Sequence, residues 1–279
     1  MLNLYKAGIT GREADIHMIR SNIKKIRAFY HFLEVIYQGK FKKEEHYAAF
    51  KELFRQAGKL REVHVNLMIL EQYTTHAPEE KDFRSYLQKK EMVLARKFLY
   101  AVRDYDETAI ISKEKEIEKF MNKLQPKKFS GNVDKFIKKK SSRILGYLPE
   151  IRNPLILHKI RMHLKTISSI LDISLKCSRE LNETEHQLLT EIIGMETLIG
   201  IWHDNIVFIE AIKTYRKSKS GELPETQAIL EPLGSKLNLE NTTILERIEK
   251  MIPSLIVDSI LSKPRWNLSV KEDLEGKGW

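Results

Sequence analysis

One cysteine, Cys177, serves all 279 residues, so the chain cannot form an intrachain disulfide, and it holds no CxxC pair for a structural metal. Cys177 lies among apolar positions at helical spacing and reads as a buried free thiol in a reducing compartment. No window approaches the roughly 20 apolar residues of a membrane span. The segment MLNLYKAGITGREAD lacks the basic stretch and apolar run of a secretory leader. The expectation is therefore a soluble, cytoplasmic protein. Glycine (12) and proline (8) are scarce, and most prolines fall between periodic segments, which suits long helices joined by short connections and an all-α class. The chain also lacks an HExxH pair, a Gly-rich phosphate loop, a GxSxG elbow and a carboxylate pair that can be placed as acid and base. It reads as a non-enzymatic protein with no metal and no cofactor.

What the chain does have is positive charge and apolar periodicity. Lys and Arg number 48 against 38 Asp and Glu, a formal charge of +10, which attracts anions without choosing among nucleic acid, an anionic membrane surface, polyphosphate or an acidic protein. A hydrophobic content of 42% is enough for real cores.

From Arg12 to Tyr37, Ile16, Ile19, Ile23, Ile26, Tyr30 and Leu33 recur at steps of three and four, the spacing of one helix face, and Gly39 can end that helix. Further helices are expected over 44–73, 79–105, 112–124 (starting at a weak Ser112 cap), 132–148, 154–178, 182–215 and 243–261. Pro253 should kink or break the last of these. A break is expected at Gln125-Pro126, a polar connection over Lys217–Leu223, and a polar tail from Ser262 carrying Trp266 and Trp279.

An internal repeat organises the chain. DIHMIRSNIKKI (15–26) aligns with ILHKIRMHLKTI (156–167) at an offset of 141, placing His17 on His158, Arg20 on Arg161 and Lys24 on Lys165. The apolar frame aligns as well, with Ile19, Ile23, Ile26 and Tyr30 falling on Ile160, Leu164, Ile167 and Leu171. One residue further in offset, Gly58-Lys-Leu-Arg-Glu62 falls on Gly200-Ile-Trp-His-Asp204. The repeat predicts duplicated helical bundles about a pseudo-twofold axis: a first half over 1–126, a second over 127–262 and a tail over 263–279. At about 100° per residue, His17, Arg20, Lys24 and Arg27 share an arc of about 80° beside the isoleucine stripe. If the two copies face each other, their cations line one basic cleft that focuses the field on an anion.

The first-helix pattern His17-Met-Ile-Arg20 with Lys24-Lys25-Ile-Arg27 resembles the first signature of the CHAD family, named for a characteristic histidine and an α-helical domain. Gly58-Lys59-Leu60-Arg61-Glu62, His158-Lys-Ile-Arg161 and Gly200-Ile-Trp202-His203-Asp204 resemble the later ones, so the likeness covers residues 12 to 262. It implies two four-helix bundles with a basic central channel that binds inorganic polyphosphate without a known reaction. It also extends the cytoplasmic expectation to association with polyphosphate granules. The chain departs from the family after the second HxxR, where His163, Thr166 and Ser168 stand in place of further cations, so the second wall is expected to be weaker.

The candidate binding residues are His17, Arg20, Lys24, Arg27, Lys51, Arg55, Lys59, Arg61, His158, Arg161, Lys165 and His203. Arginine offers forked hydrogen bonds to phosphoryl oxygens and lysine a mobile point charge. His17 and His158 either donate to the ligand or hydrogen-bond a facing helix. Glu62 and Asp204 are expected to orient neighbouring Arg or His side chains. The run Lys138-Lys139-Lys140 is expected to be solvated, and Trp202 and Tyr30 to be core residues, which counts against base stacking on a single-stranded nucleic acid. Two other readings stay open: a helical scaffold that docks an acidic protein or RNA, and, less favoured, a metal-dependent phosphate-chain hydrolase, for which only Glu62 and Asp204 are placed.

Overall fold

The computed structural model describes residues 12–73, 78–123, 126–177, 183–218 and 230–262, and among them every regular element is helical. The helices are α1 (Glu13–Ile36), α2 (Lys43–Tyr47), α3 (Lys51–Gln72), α4 (Pro78–Arg103), α5 (Glu107–Asn122), α6 (Pro126–Tyr147), α7 (Pro154–Cys177), α8 (Glu183–Ser218) and α9 (Leu230–Ser254). Single 3-10 turns at Ala48–Phe50 and Leu148–Glu150 join α2 to α3 and follow α6. Gly39, at φ +80, takes up the left-handed conformation just past the end of α1.

Three starts lie earlier than the sequence pattern predicts. α5 begins at Glu107 because Asp106 caps it, its Oδ1 accepting from the Thr108 amide at 2.9 Å; the expected cap Ser112 sits inside the helix. Proline opens α6 at Pro126, where its missing N–H costs nothing, and the helix runs on through Ser130-Gly131-Asn132, which reads like a linker. α9 starts at Leu230, well before Thr243. Asn153 caps α7, accepting from the Leu155 amide at 3.0 Å with Pro154 as the first helical residue. After Pro253 the chain continues as a wider π-helical segment, Leu255–Leu261, closed by the Ser262 amide donating to the Val257 carbonyl at 3.1 Å. The proline has no N–H for the carbonyl of Glu249, so the expected disruption takes the form of a change of winding. Most of the polar connection beyond Ser218, the tail with Trp266 and Trp279, Gln125 and the Cys177 side chain lie outside the described residues.

Packing divides the chain into two compact units, each drawn from three stretches: Met1–Ile23, Phe50–Tyr105 and Gly200–Leu245 in the first, Lys24–Ala49, Asp106–Ile199 and Glu246–Trp279 in the second. This grouping differs from the division at 126/127 that the repeat predicts. The physical reason is helix length, since α8 alone has 36 residues and spans about 54 Å, so one helix serves both units in turn. α8 is also long and apolar enough to cross a membrane by length and composition alone. Its apolar side chains Leu188, Ile192, Met195 and Ile199 are buried core of the second unit, and Phe208, Ile209, Ile212 and Tyr215 of the first.

In the first unit α3 packs along α4, and the fully buried Phe83 ring meets Phe208 at 5.9 Å and Tyr215 at 5.1 Å. Trp202 and Tyr30, the latter in the second unit, are both buried, as the apolar spacing predicts. A polar device crosses the first core: Asn205 Nδ2 donates to Asn241 Oδ1 at 3.0 Å, and Asn241 Nδ2 donates to the Trp202 carbonyl at 3.2 Å. In the second unit α6 packs on α7 and on the π-helical segment. Phe32 meets Phe129 and Phe136 edge-on, and Phe41 stacks on His46 at 4.2 Å with the rings within 3° of parallel.

The asparagine pair fixes the register of α8 against α9 in the first unit. Asn241→Leu strands a buried Asn205 amide and costs about 1–3 kcal/mol in urea unfolding. Asn205→Leu/Asn241→Leu costs less than the sum of the two single changes. Strict additivity would show that the two amides do not act as a unit.

Candidate functional site

The predicted site residues fall into both units. His17, Arg20, Lys51, Arg55, Lys59, Arg61, Glu62, His203 and Asp204 belong to the first. Lys24, Arg27, His158, Arg161 and Lys165 belong to the second.

In the first unit the GKLRE element has a structural purpose that spacing alone does not disclose. Arg20 of α1 crosses α3 at Gly58, where an added Cβ would lie 2.6 Å from the Arg20 Nη1 atom. That notch lets Nη1 donate to the Phe54 carbonyl at 3.2 Å, while the guanidinium carbon sits 4.7 Å from the centre of the Phe54 ring. Arg20 is thereby held in one pose. Leu60, in the middle of the element, is fully buried core. Arg61 pairs with Glu13 at the start of α1, and Arg55 is bound in a fork by Glu52, Nε to Oε2 at 2.9 Å and Nη2 to Oε1 at 2.7 Å. The carboxylates that orient these arginines are thus Glu13 and Glu52, whereas Glu62 is exposed. His17, Lys51 and Lys59 are also exposed. His203 is half-buried, with Asp204 Oδ1 3.4 Å from its Nδ1.

In the second unit residues from both repeat copies come together. Lys24 from α1, with Arg161 and Lys165 from α7, all act electrostatically on Glu196 of α8, a carboxylate that the sequence reading missed. Burial outweighs these cations and a hydrogen bond from Ser168, so the Glu196 carboxyl is pushed above the usual carboxylate range. Lys24 and Lys165 are the matched positions of the repeat. A neighbouring tie joins the same two helices, Lys25 Nζ to Asp172 Oδ2 at 2.7 Å. Arg27 lies over the Tyr47 ring at 5.3 Å, and His158 is exposed. A signal for Glu196 was present: it stands one turn before Gly200, four residues earlier on the same helix.

The lysine run corrects the sequence reading. Lys138 pairs with Asp134 at 3.2 Å and Lys139 is exposed, but Lys140 is only 5% exposed. Its position follows from helical spacing, since Val133, Phe136, Ile137, Lys140 and Ile144 step by three and four along the buried face of α6. His163, read from sequence as a departure that thins the cation row, belongs to the surroundings of this same lysine.

The arrangement suits electrostatic recognition of a polyanion: arginines held by local carboxylates or by a backbone carbonyl, and lysines gathered around a carboxyl of reduced acidity. Among the described residues no three His, Cys, Asp or Glu side chains are grouped to hold a metal ion.

The notch predicts a coupling between Arg20 and Gly58. In an Arg20→Ala background, Gly58→Ala stabilises by about 0.5–1 kcal/mol, the helix-propensity difference between the two residues. In the parent the same change displaces the guanidinium and that stabilisation is lost or reversed. Equal effects in both backgrounds, measured by urea unfolding, would dismiss the notch.

No protein-family model, curated protein or solved structure matches the chain.

Proposed function

We propose that this protein binds inorganic polyphosphate or a similar polyanion, without turning it over, at a basic site of the second unit where Lys24 of α1 gathers with Arg161 and Lys165 of α7. The observation that carries the reading is the convergence of Lys24, Arg161 and Lys165 in the second unit, drawn from the two repeat copies and opposed by one carboxyl of weakened acidity. A phosphate chain presents repeated tetrahedral anions with no base edges, so dense and adaptable donors serve it better than a single shaped pocket. Protonation of Glu196 on ligand approach removes the negative charge that would oppose binding. On this reading Arg27 extends the donor row along α1 within the second unit. The duplication, the likeness to CHAD proteins and a cytoplasmic, granule-associated setting belong to the same proposal.

Binding of labelled long-chain polyphosphate across a salt series tests it. The parent should bind tightly at low salt and lose affinity as salt rises. Lys24→Ala/Lys165→Ala removes two phosphate contacts, so the log–log salt slope should fall by about 2 and low-salt affinity by on the order of tenfold or more. An unchanged slope would remove the stripe from the site. RNA that binds and resists displacement by polyphosphate, or an acidic protein retained at high salt, would favour a docking scaffold instead.

A further inference from the structure

A second set of basic side chains lies in the second unit, built from residues outside the stripe. Its centre is the buried Lys140 of α6, whose Nζ lies 2.6 Å from His31 Nε2 on α1. His31 Nδ1 in turn lies 3.2 Å from Glu34 Oε2, and Glu34 Oε1 accepts the backbone N–H of Lys43 at 3.1 Å. The carboxylate can only accept, so His31 carries its proton on Nδ1 and turns the lone pair of Nε2 toward the ammonium of Lys140. The result is a hydrogen-bonded row from α6 through α1 to the start of α2.

Around this row the charges are mostly of one sign. Arg143, Lys43 and Lys139 all bear on Lys140, and Lys140 and Arg143 bear on His163 of α7. Of the carboxylates, Glu34 acts on Lys140 and is already engaged by His31 and by a backbone amide, and Glu44 pairs with the Lys43 ammonium at 3.2 Å. Apolar rings wall the place. Phe136 lies 5.4 Å from the Lys140 ammonium and meets the His31 ring at 5.5 Å, and Tyr147 stacks on His163 at 5.8 Å while carrying Lys159 over its face.

A buried ammonium ordinarily requires an anion beside it, because desolvation is offset only by close opposite charge or full hydrogen bonding. Here its close partner is a neutral imidazole. The consequence appears in Lys140, His31 and His163. Burial, and then the neighbouring cations, lower Lys140 to about 8, and lower His31 and His163 each to about 4. Near neutral pH the two imidazoles are thus held neutral beside an ammonium whose charge burial has weakened.

We propose that Lys140, His31 and His163, with Arg143 and Lys43 at the rim, form a proton-coupled binding site for a small oxyanion of the phosphate class, separate from the polyanion stripe. An oxyanion in contact with Lys140 Nζ and His31 Nε2 replaces a bond in which two bases share one proton by two charge-assisted bonds, once His31 takes up a second proton. Glu34 stays on Nδ1 and stabilises the imidazolium that forms. His163 supplies a further donor when it too is protonated. Binding therefore consumes protons and tightens as pH falls, by up to about tenfold per pH unit for each proton taken up.

The sign for stability without ligand is the opposite. His31 and His163 have folded values near 4, below the ordinary 6.5, so the unfolded chain holds more protons between those limits and the fold weakens as pH drops through that window. Lys140, near 8 against the ordinary 10.5, weakens the fold as pH falls from about 10.5 to 8. An anion in the site raises all three and flattens the acid limb.

The test uses the full chain and inorganic phosphate as the probe. Calorimetry at pH 6.5 in two buffers of different ionisation enthalpy reads affinity and proton uptake together, and urea unfolding from pH 7 to 4.5, with and without phosphate, reads the acid limb. The expected result is phosphate binding with net proton uptake and a flattened acid limb, both lost in Lys140→Met and retained in Lys24→Ala/Lys165→Ala. Lys140→Met exchanges a buried cation for an apolar chain of similar length and should fold. His163→Asn, expected to reduce the proton uptake, serves as the second variant. Absence of phosphate binding by the folded parent, or equal binding by Lys140→Met, overturns the site. Loss in Lys24→Ala/Lys165→Ala with retention in Lys140→Met also overturns it and assigns the phosphate to the stripe. Failure of long-chain polyphosphate to bind the parent would leave the small-anion result untouched, so the two proposals fail separately.

Discussion

The constraint on which the structure depends is that its helices carry an apolar stripe and a cationic row side by side, so burying one brings the other out of water. α1 shows this in the smallest space. Ile16, Ile19 and Ile23 are core, and Arg20, one step away on the cylinder, is drawn in with them. Its charge is tolerated because Gly58 removes a side chain from its path and Phe54 offers both a carbonyl and a ring face. The cost of desolvating a guanidinium is offset locally by this hydrogen bond and by the ring quadrupole. Carboxylates pair with other cations of these helices: Glu13 with Arg61, Glu52 with the exposed Arg55, Asp172 with Lys25.

Much of the helical skeleton was legible because the apolar period is regular and the breaks are chemically marked, as at Gly39 and Pro154. What misled the reading was chemistry that looks the same in two contexts. Asp106 and Ser112 both precede acidic, apolar-periodic residues, and only the hydrogen bond from the Thr108 amide identifies the cap. Ser-Gly-Asn before Val133 has the composition of a linker, yet the apolar stripe behind it holds the segment helical. Tertiary packing overrides a weak local preference at such places. The division into units was not legible from the repeat, because a sequence likeness between segments does not say which halves of a long helix pack together.

The site was legible in a comparable measure. Matching Lys24 to Lys165 across the repeat picked out two residues that gather at Glu196, together with Arg161. Lys140 was missed for an instructive reason. In a run of three lysines composition assigns all to solvent, while position assigns the third to the same face as Phe136, Ile137 and Ile144. Position decides, since a helix of 22 residues cannot rotate one turn independently of the rest. His31 was passed over and His163 was read only as a gap in the cation row: neither belongs to an HxxR element, and only the packing of α1, α6 and α7 within one unit sets them near Lys140.

The two basic groups differ in how they handle charge, and the difference bears on what each can hold. At Glu196 the cations gather about a single carboxyl whose acidity burial has weakened, so a proton shared with that carboxyl is the adjustable quantity. At Lys140 the adjustable quantity is the charge of the bases themselves, and Glu34 is placed to stabilise whichever form His31 takes. An extended polyanion brings many charges and is held by their sum, which rewards a row of donors that stay cationic. A single oxyanion brings few charges, and on the proposed reading a group whose two imidazoles are neutral admits it at the cost of protons drawn from solvent. On the proposed readings both groups draw on a proton, at the carboxyl of Glu196 in one and at the imidazoles of His31 and His163 in the other, while the summed charge of the lysine and arginine row adds sensitivity to salt.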